Sequence, residues 1–299
     1  MGLQTNTNPG GALAPGDGAV LIVGAHGQLG ARLVETFADH SVVAHTRQSL
    51  DITDPAAVAR AVAAASPAVV INAAAFNDVD GAESRPTDAL AVNAMAVRSL
   101  VRAADTAGAI FVHYSTDFVF SGDATEPYDE RDEPTPRSAY AVSKLLGEWL
   151  ALEAVRPYVL RVESLFGSPR GWTGRRGSLD GIVDGMLAGR EVRVFTDRVV
   201  SPSYTPDIAV ATKHLLTSGA AHGLYHCVNS GHVTWHDAAV EVARQLGVVP
   251  RLVPMTMDQV TLAAARPRYC ALSNRKLAEA GFPMRTWQDA LAHWLAATR

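Results

Sequence analysis

The sequence predicts a doubly wound parallel α/β sheet followed by a smaller α/β unit. Three observations predict it. Short apolar runs of buried-strand type alternate with segments of helical spacing through the first half of the chain. The first of those runs ends in glycine and passes through a glycine-spaced turn into a helix. After Phe166 the alternation loosens into loops, helices and short strands, so a second, smaller unit is expected there.

AVLIVG, Ala19 to Gly24, is the first strand. ARLVETFAD follows with Leu33, Val34 and Phe37 on one helical face. SVVAH is the second strand. Asp54 and Pro55 read as an N-cap and a first-turn proline, opening the helix AAVARAVAAAS. AVVINAAA is the third strand. A helix is expected from about residue 85 or 86 to Ala107, then the strand IFVHYS, a proline-rich loop, a helix from Ala139 to about Val155, and the strand PYVLRVES. Strands alternating with helices mean parallel pairing, with crossover helices on both faces. Beyond Phe166, GSPRGWTGRRGS reads as loop. DGIVDGMLAG, PDIAVATKHLL, TWHDAAVEVARQL and TWQDALAHWLAAT read as helices, with VRVF and LYHCV as strands between them.

The 299 residues are 48% apolar and 19% charged, which fits a globular chain with a well-buried core. The net charge of −4 argues against nucleic-acid and anionic-membrane partners, which need clustered Lys and Arg. Cys227 and Cys270 cannot make a disulfide framework. They are expected as packed thiols in a reducing, cytoplasmic setting. No apolar run approaches the roughly 18 to 20 residues of a membrane helix, and MGLQTNTNPGGALAPGDG lacks the pattern of a signal peptide.

GAHGQLG carries Gly24, Gly27 and Gly30 between the first strand and the first helix. Glycine permits a tight turn and lets backbone N–H groups approach a pyrophosphate, while the helix N-terminus adds partial positive charge. A Rossmann-type dinucleotide-binding domain is therefore expected over residues 18–165, with a segment near 199–230 returning to its sheet. Residues 1–17 are expected as a flexible tail, and 166–198 with 231–299 as the substrate-binding domain. A carboxylate at the end of the second strand would favour NAD. This chain has His45-Thr46-Arg47 there, and its first acid is Asp51. Arg47 suits a 2′-phosphate, so NADPH is expected, with NADH as the alternative. His26 is read as a spacer beside the cofactor.

SAYAVSK places Tyr140 four residues before Lys144, on one helical face. A nearby ammonium favours an ionised phenol, and a phenol so poised can protonate a carbonyl oxygen as hydride reaches the carbon. HYSTDFVF ends a strand on the edge where open α/β sheets bind ligands, and it brings the hydroxyls of Ser115 and Thr116 there.

Together with these, LDIT, INAAAFNDVDGAE, STDFVFSG, PYDERDEPTPRSAYAVSK, DRVVSPSYTPDIA, YHCVNSGHVTW and RPRYCALSNRKL resemble the extended short-chain dehydrogenases/reductases. Within them, the chain is most like the dTDP-4-dehydrorhamnose reductases and their sugar-nucleotide relatives. The resemblance implies Thr116, Tyr140 and Lys144 as catalytic triad: Thr116 bonds the substrate oxygen, Tyr140 protonates it, and Lys144 holds the nicotinamide ribose. It implies Gly24, Gly27, Gln28, Leu29 and Gly30 at the phosphates, Asp51 and Ile52 at the adenine, and Ala73, Ala74 and Ala75 along the cofactor groove. Asn77, Val79, Asp80, Ser115, Phe118, Ser164 and Arg266 would meet the substrate, a nucleotide-linked 4-keto-6-deoxy sugar. Arg175, Arg176 and Arg268 join Arg266 as arginines suited to its diphosphate. A homodimer is the other partner the resemblance allows.

The departures cluster near the substrate. Phe76-Asn77, Phe118 and Ser164 stand where the family more often has an aromatic followed by threonine, a tyrosine and a tryptophan. The related 4,6-dehydratases carry glutamate where this chain has Phe118, which can serve as neither acid nor base. Asp117 is expected to be structural. Net reduction is favoured over epimerase or dehydratase chemistry. It is also favoured over a non-catalytic scaffold like the methionine adenosyltransferase regulatory subunit, because the triad is intact. His232 and His236 form H-x-x-x-H without the glutamate that a zinc helix would want, and no metal is expected.

Overall fold

The computed structural model describes residues 13–14, 17–168, 172, 174 and 176–298. Most of the segment expected as a flexible tail lies outside these residues. The Leu13 N–H donates to Leu216 O at 2.7 Å, and the Leu13 side chain is buried in the first core. Burial of a leucine stabilises by about 1.5–3 kcal/mol, enough to anchor a strand-less segment.

The first elements follow the sequence pattern: β1 (Ala19–Val23), α1 (Gln28–Thr36), β2 (Val42–His45), α2 (Pro55–Ala65) and β3 (Pro67–Asn72). Val20 and Ile22 of β1 enter one core, and Leu21 and Val23 enter the other. A strand covered on both faces needs an unbroken apolar run, which AVLIV supplies. The Asp54 carboxylate caps α2 by accepting from the N–H groups of Ala56 and Ala57, with Pro55 in the first turn.

Next comes a helix the spacing did not predict, α3 (Val79–Ser84), which is one and a half turns of VDGAES capped by Asp78. α4 (Pro86–Leu90) continues through a π-helical turn, Ala91–Met95, into α5 (Ala96–Thr106). Such widened turns re-aim one side chain. Here it is buried Asn93, whose Oδ1 accepts the Phe76 N–H at 2.8 Å. Its Nδ2 donates to Phe76 O at 3.1 Å and to Ser143 Oγ at 2.9 Å. β4 (Ile110–Thr116), α6 (Ala139–Leu152) and β5 (Pro157–Val162) complete the first run.

The remaining elements are β6 (Leu165–Phe166), α7 (Ser178–Leu187), β7 (Glu191–Phe195), β8 (Val199–Val200), β9 (Ser203–Tyr204), α8 (Thr205–Thr217), β10 (Gly223–His226), β11 (Val233–Thr234), α9 (Trp235–Leu246), β12 (Arg251–Met255), α10 (Arg275–Glu279) and α11 (Trp287–Thr298). The large sheet has the order β10-β5-β4-β3-β1-β2 and is parallel throughout. All carboxyl ends of its strands therefore share one edge. β1 has β2 on one side and β3 on the other, so the order reverses there, and ligands of open α/β sheets bind at such a reversal. α8 packs on α1 and β10 pairs with β5, so the chain returns to the first sheet. Leu277 and Met284 also enter the first core, although their segment was expected wholly in the second unit.

A second core holds Leu179, Val183, Trp235, Val242, Trp287 and Leu291 against the parallel pair of β7 and β12. β12, RLVPM, was not among the expected strands, and it contains a proline. It is a mostly exposed edge strand, the place where proline is tolerated. No helix among the described residues is long and apolar enough to cross a membrane.

Three buried polar side chains tie β5, α6 and β10 together. Arg161 donates through Nε and Nη2 to Glu148 at 2.9 and 2.6 Å, and its Nη1 lies 3.3 Å from His226 Nε2. A guanidinium can only donate, so Nε2 must accept, and Nδ1–H donates to Tyr128 O at 3.1 Å. Burial first, and then Arg161, hold this imidazole neutral and push it down to about 3. An unfolded histidine takes its proton near pH 6.5. The unfolded chain therefore binds more protons between these values, and stability falls as pH drops from about 6.5 towards 3. We expect urea unfolding of the wild type to lose about 1.4 kcal/mol per pH unit more than His226→Gln between about pH 6 and 4. Parallel slopes for the two proteins would refute the neutral assignment.

Candidate active site

The glycine turn is built by steric necessity. Gly24 has φ +79°, and a Cβ there would lie 2.6 Å from Ala74 N and 2.7 Å from Ala73 C. A Cβ on Gly30 would lie 2.1 Å from Gly24 O. The first contact seats the β1–α1 turn on the end of β3, and the second seats α1 on the turn. Ala73, Ala74 and Ala75 are half-buried along this seam, where larger side chains would fill the groove. The Gln28 Nε2 is buried and has no hydrogen-bond partner. Leu29 is buried in the first core, and His26 is exposed. A cradle that admits no Cβ, at a helix N-terminus with an unpartnered amide beside it, fits a dinucleotide pyrophosphate.

β2 ends at His45, and the Arg47 side chain is exposed just past it. The Thr53 hydroxyl and then the Thr53 N–H hold the Asp51 carboxyl below its usual range, with Arg47 adding to the effect. Ile52 is buried against the α2 face of the sheet.

At the end of β4, Ser115 and Thr116 are buried, and Ser115 Oγ has no partner. Thr116 Oγ1 donates to Asp117 Oδ1 at 2.9 Å and accepts from the Phe118 N–H at 3.3 Å. Tyr140 and Lys144 lie on the buried face of α6, which Ser138 caps by accepting from the Ala141 N–H. The Lys144 Nζ donates to Tyr114 O at 2.6 Å, two residues before Thr116. Burial brings this ammonium down to about 8. The Tyr140 ring meets Phe118 edge-on, with centroids 5.7 Å apart, and packs with Phe76, Val79, Ala82 and Ala89. The carboxyl edge of the sheet carries the glycine turn, the alanine seam and Thr116, and α6 sets Lys144 on Tyr114 O of β4.

The expected substrate residues are more dispersed. Asn77 is exposed, and Val79 opens α3. Asp80 and Arg266 form a double contact at 2.9 and 2.7 Å, and the Ala264 N–H also donates to Asp80. Arg266 first, then Ala264, lowers the Asp80 carboxyl to about 2. Arg266, expected to face a diphosphate, is held instead by a carboxylate that closes residues 264–266 over α3. Arg268 pairs with Asp197 and Asp258, and Arg176 with Asp180 and Asp184. Arg175 lies outside the described residues. Phe118 lies under the Arg198 guanidinium, 5.4 Å from ring centroid to Cζ. Ser164 holds φ +45°, an unusual conformation for a non-glycine residue, and its carbonyl accepts from Ser203.

Several residues of this region escaped sequence reasoning. Asn93 is one; its signal was a lone amide inside an apolar helical stretch. Among the described residues one group of three close donor side chains occurs, namely Asp117, Glu163 and Cys270, with atoms within 4.8 Å of one another. All three are buried, and no histidine belongs to the group. The His232 ring meets the Tyr269 ring at a tilt, with centroids 6.0 Å apart, and His236 pairs with Asp237. Cys227 and Cys270 are buried free thiols, and burial pushes both up.

A family model described as RmlD substrate binding domain matches residues 18–299. A dTDP-4-dehydrorhamnose reductase of Mycobacterium tuberculosis is 39% identical over 288 residues, covering 93% of this chain and 92% of that protein. The spore coat polysaccharide biosynthesis protein SpsK of Bacillus subtilis is 32% identical and covers 92% of this chain and 96% of its own length. Among solved structures, a Bacillus anthracis dTDP-4-dehydrorhamnose reductase in complex with NADP superposes with a TM-score of 0.88 at 30% identity. It covers 94% of this chain and 99% of that one.

Proposed function

The chain belongs to the RmlD substrate-binding-domain family, and from that premise we propose that it reduces a nucleotide-linked 4-keto-6-deoxy sugar with NADPH, Tyr140 giving the proton. It is an NAD(P)H-dependent oxidoreductase acting on a sugar nucleotide. One observation carries the finer reading. Lys144 is buried and fixed to Tyr114 O, on the same helical face as Tyr140 and beside the strand end that bears Thr116.

Gly24, Gly27 and Gly30 hold the pyrophosphate, with Gln28 at the helix start. Arg47 takes the 2′-phosphate, and Ala73 to Ala75 leave room for the groove. A lysine has three N–H donors, and one of them is committed to Tyr114. The others serve the nicotinamide ribose and the phenol. When bound, the dihydronicotinamide supplies the hydride. Thr116 bonds the ketone oxygen, and Tyr140 protonates it as the carbon is reduced. Phe118 and its edge contact with Tyr140 orient the phenol without offering an acid or base of their own. Asn77, Val79 and Ser164 line the sugar's side, and the Asp80–Arg266 pair closes the segment above it.

Incubating the protein with NADPH and dTDP-, UDP- or GDP-linked 4-keto-6-deoxy sugars tests this directly. We expect NADPH absorbance to fall with the dTDP-linked ketone, and more slowly when NADH replaces NADPH. Tight NADPH binding with no oxidation by any sugar of the panel would replace the enzyme by a scaffold.

A further inference from the structure

Behind Thr116 lies a buried group that the reaction as described does not use. Asp117 follows Thr116 at the end of β4, Glu163 follows β5, and Cys270 comes from the segment after β12. The Ser201 N–H donates to Glu163 Oε2 at 2.7 Å, and Thr116 donates to Asp117 Oδ1. The other oxygen of each carboxyl, Asp117 Oδ2 and Glu163 Oε1, is buried with no hydrogen-bond partner. Two ionised carboxylates at such range, out of water, repel each other, and each leaves an oxygen unsatisfied.

The charged and titratable neighbours do not remove the conflict. Arg198, between β7 and β8, acts on both carboxyls and reaches Cys270 Sγ at 4.0 Å. It already occupies the cation's part in the group, yet it offsets only one of two negative charges. Cys270 stays a thiol, since burial pushes it well up. Tyr269, whose hydroxyl is buried without a partner, brings no positive charge. Burial raises both carboxyls, and the neighbouring Asp117 raises Glu163 further.

We propose that Asp117 and Glu163 hold one proton between them, and that this proton decides where the Thr116 hydroxyl points. With Asp117 ionised, Thr116 must donate to it and can only accept from anything else. With the shared proton between Asp117 Oδ2 and Glu163 Oε1, Asp117 Oδ1 is a neutral carbonyl oxygen and a weaker acceptor than a carboxylate, so the Thr116 hydrogen is released to turn to the substrate oxygen. No bond to carbon changes and no electrons move; the pair's proton shifts between two carboxyl oxygens. Glu163 is then a positioning residue that keeps Thr116 a donor. This inference rests on the reading of Thr116 as the group that binds the ketone oxygen.

Glu163→Gln tests it, because glutamine keeps the shape but donates to Asp117 permanently and so holds it ionised. Losing one donor to a developing oxyanion costs about 100-fold, so we expect kcat to fall by about that much with NADPH affinity unchanged. In the wild type, kcat falls as pH rises through the loss of the shared proton; in Glu163→Gln that limb disappears. Adding Glu163→Gln to Thr116→Val should cost nothing further. In the infrared spectrum of the folded wild type, a protonated-carboxyl band should be present and be lost in Glu163→Gln. A fully active Thr116→Val would sink the underlying reading of Thr116. An impaired Thr116→Val alongside a Glu163→Gln with the wild-type pH profile would sink the shared proton alone. A wild type without the carboxyl band, or activity removed by a chelator and restored by a divalent metal, would also overturn it.

Discussion

Replacing Tyr140 by phenylalanine is expected to lower turnover by about 10²–10⁴-fold, the range that a positioned general acid contributes. NADPH binding should stay close to wild type. The substitution removes one oxygen and leaves the ring, and the ring makes the packing contacts. It meets Phe118 edge-on and fills the cluster of Phe76, Val79, Ala82 and Ala89. The neighbouring Lys144 remains fixed by Tyr114 O, so the ribose side of the pocket is unchanged. Single-turnover NADPH oxidation should therefore collapse while a fluorescence titration with NADPH does not. A variant that retained a tenth of the wild-type rate would remove the phenol from the chemistry. Loss of both binding and turnover would mean instead that the ring's position depends on its hydroxyl.

The parts of this site that could be read in the sequence are those whose cause is local. A strand covered on both faces must be apolar throughout, so AVLIV and AVVIN announce themselves. Gly30 is forced by contacts within the turn and Gly24 by the backbone just past β3, and their spacing exposes them. Tyr140 and Lys144 share a helical face by their separation alone. Features made by distant segments left no such trace. Asp117 and Glu163 follow two strand ends, Cys270 lies in the segment between β12 and α10, and nothing in STD, RVES or RYC signals that they meet. The Asp80 partner of Arg266 was equally hidden, which is why an arginine suited to phosphate proved to be held by a carboxylate. α3 is too short to show a period, and the π turn before α5 looks like ordinary helix until Asn93 is seen bonded to Phe76. Leu13 sat in a glycine- and proline-rich stretch whose composition outweighed one anchoring side chain.

The largest stability effect is expected at Arg161. Arg161→Met should destabilise the protein by about 3–5 kcal/mol, the cost of leaving its partner charged and buried. Both Arg161 and Glu148 side chains are only 2% exposed, so water cannot replace the lost fork. The substitution also removes the guanidinium from above the Phe120 ring, 4.8 Å away, and takes a donor from His226. Changing both partners, Arg161→Met with Glu148→Leu, should recover much of the loss, because an apolar pair of similar volume carries no desolvation cost. If the two substitutions instead add in urea unfolding, the damage comes from packing and not from a stranded charge. The pair also bears on catalysis, since Tyr140, Lys144 and Glu148 recur every fourth residue along one face of α6. Glu148 clamps that face to β5, and its charge favours the protonated form of Lys144 against the effect of burial. The double variant should therefore regain stability without regaining full activity, because Lys144 would have lost the one charge that supports its own. Full recovery of both would confine the Arg161–Glu148 pair to holding the fold.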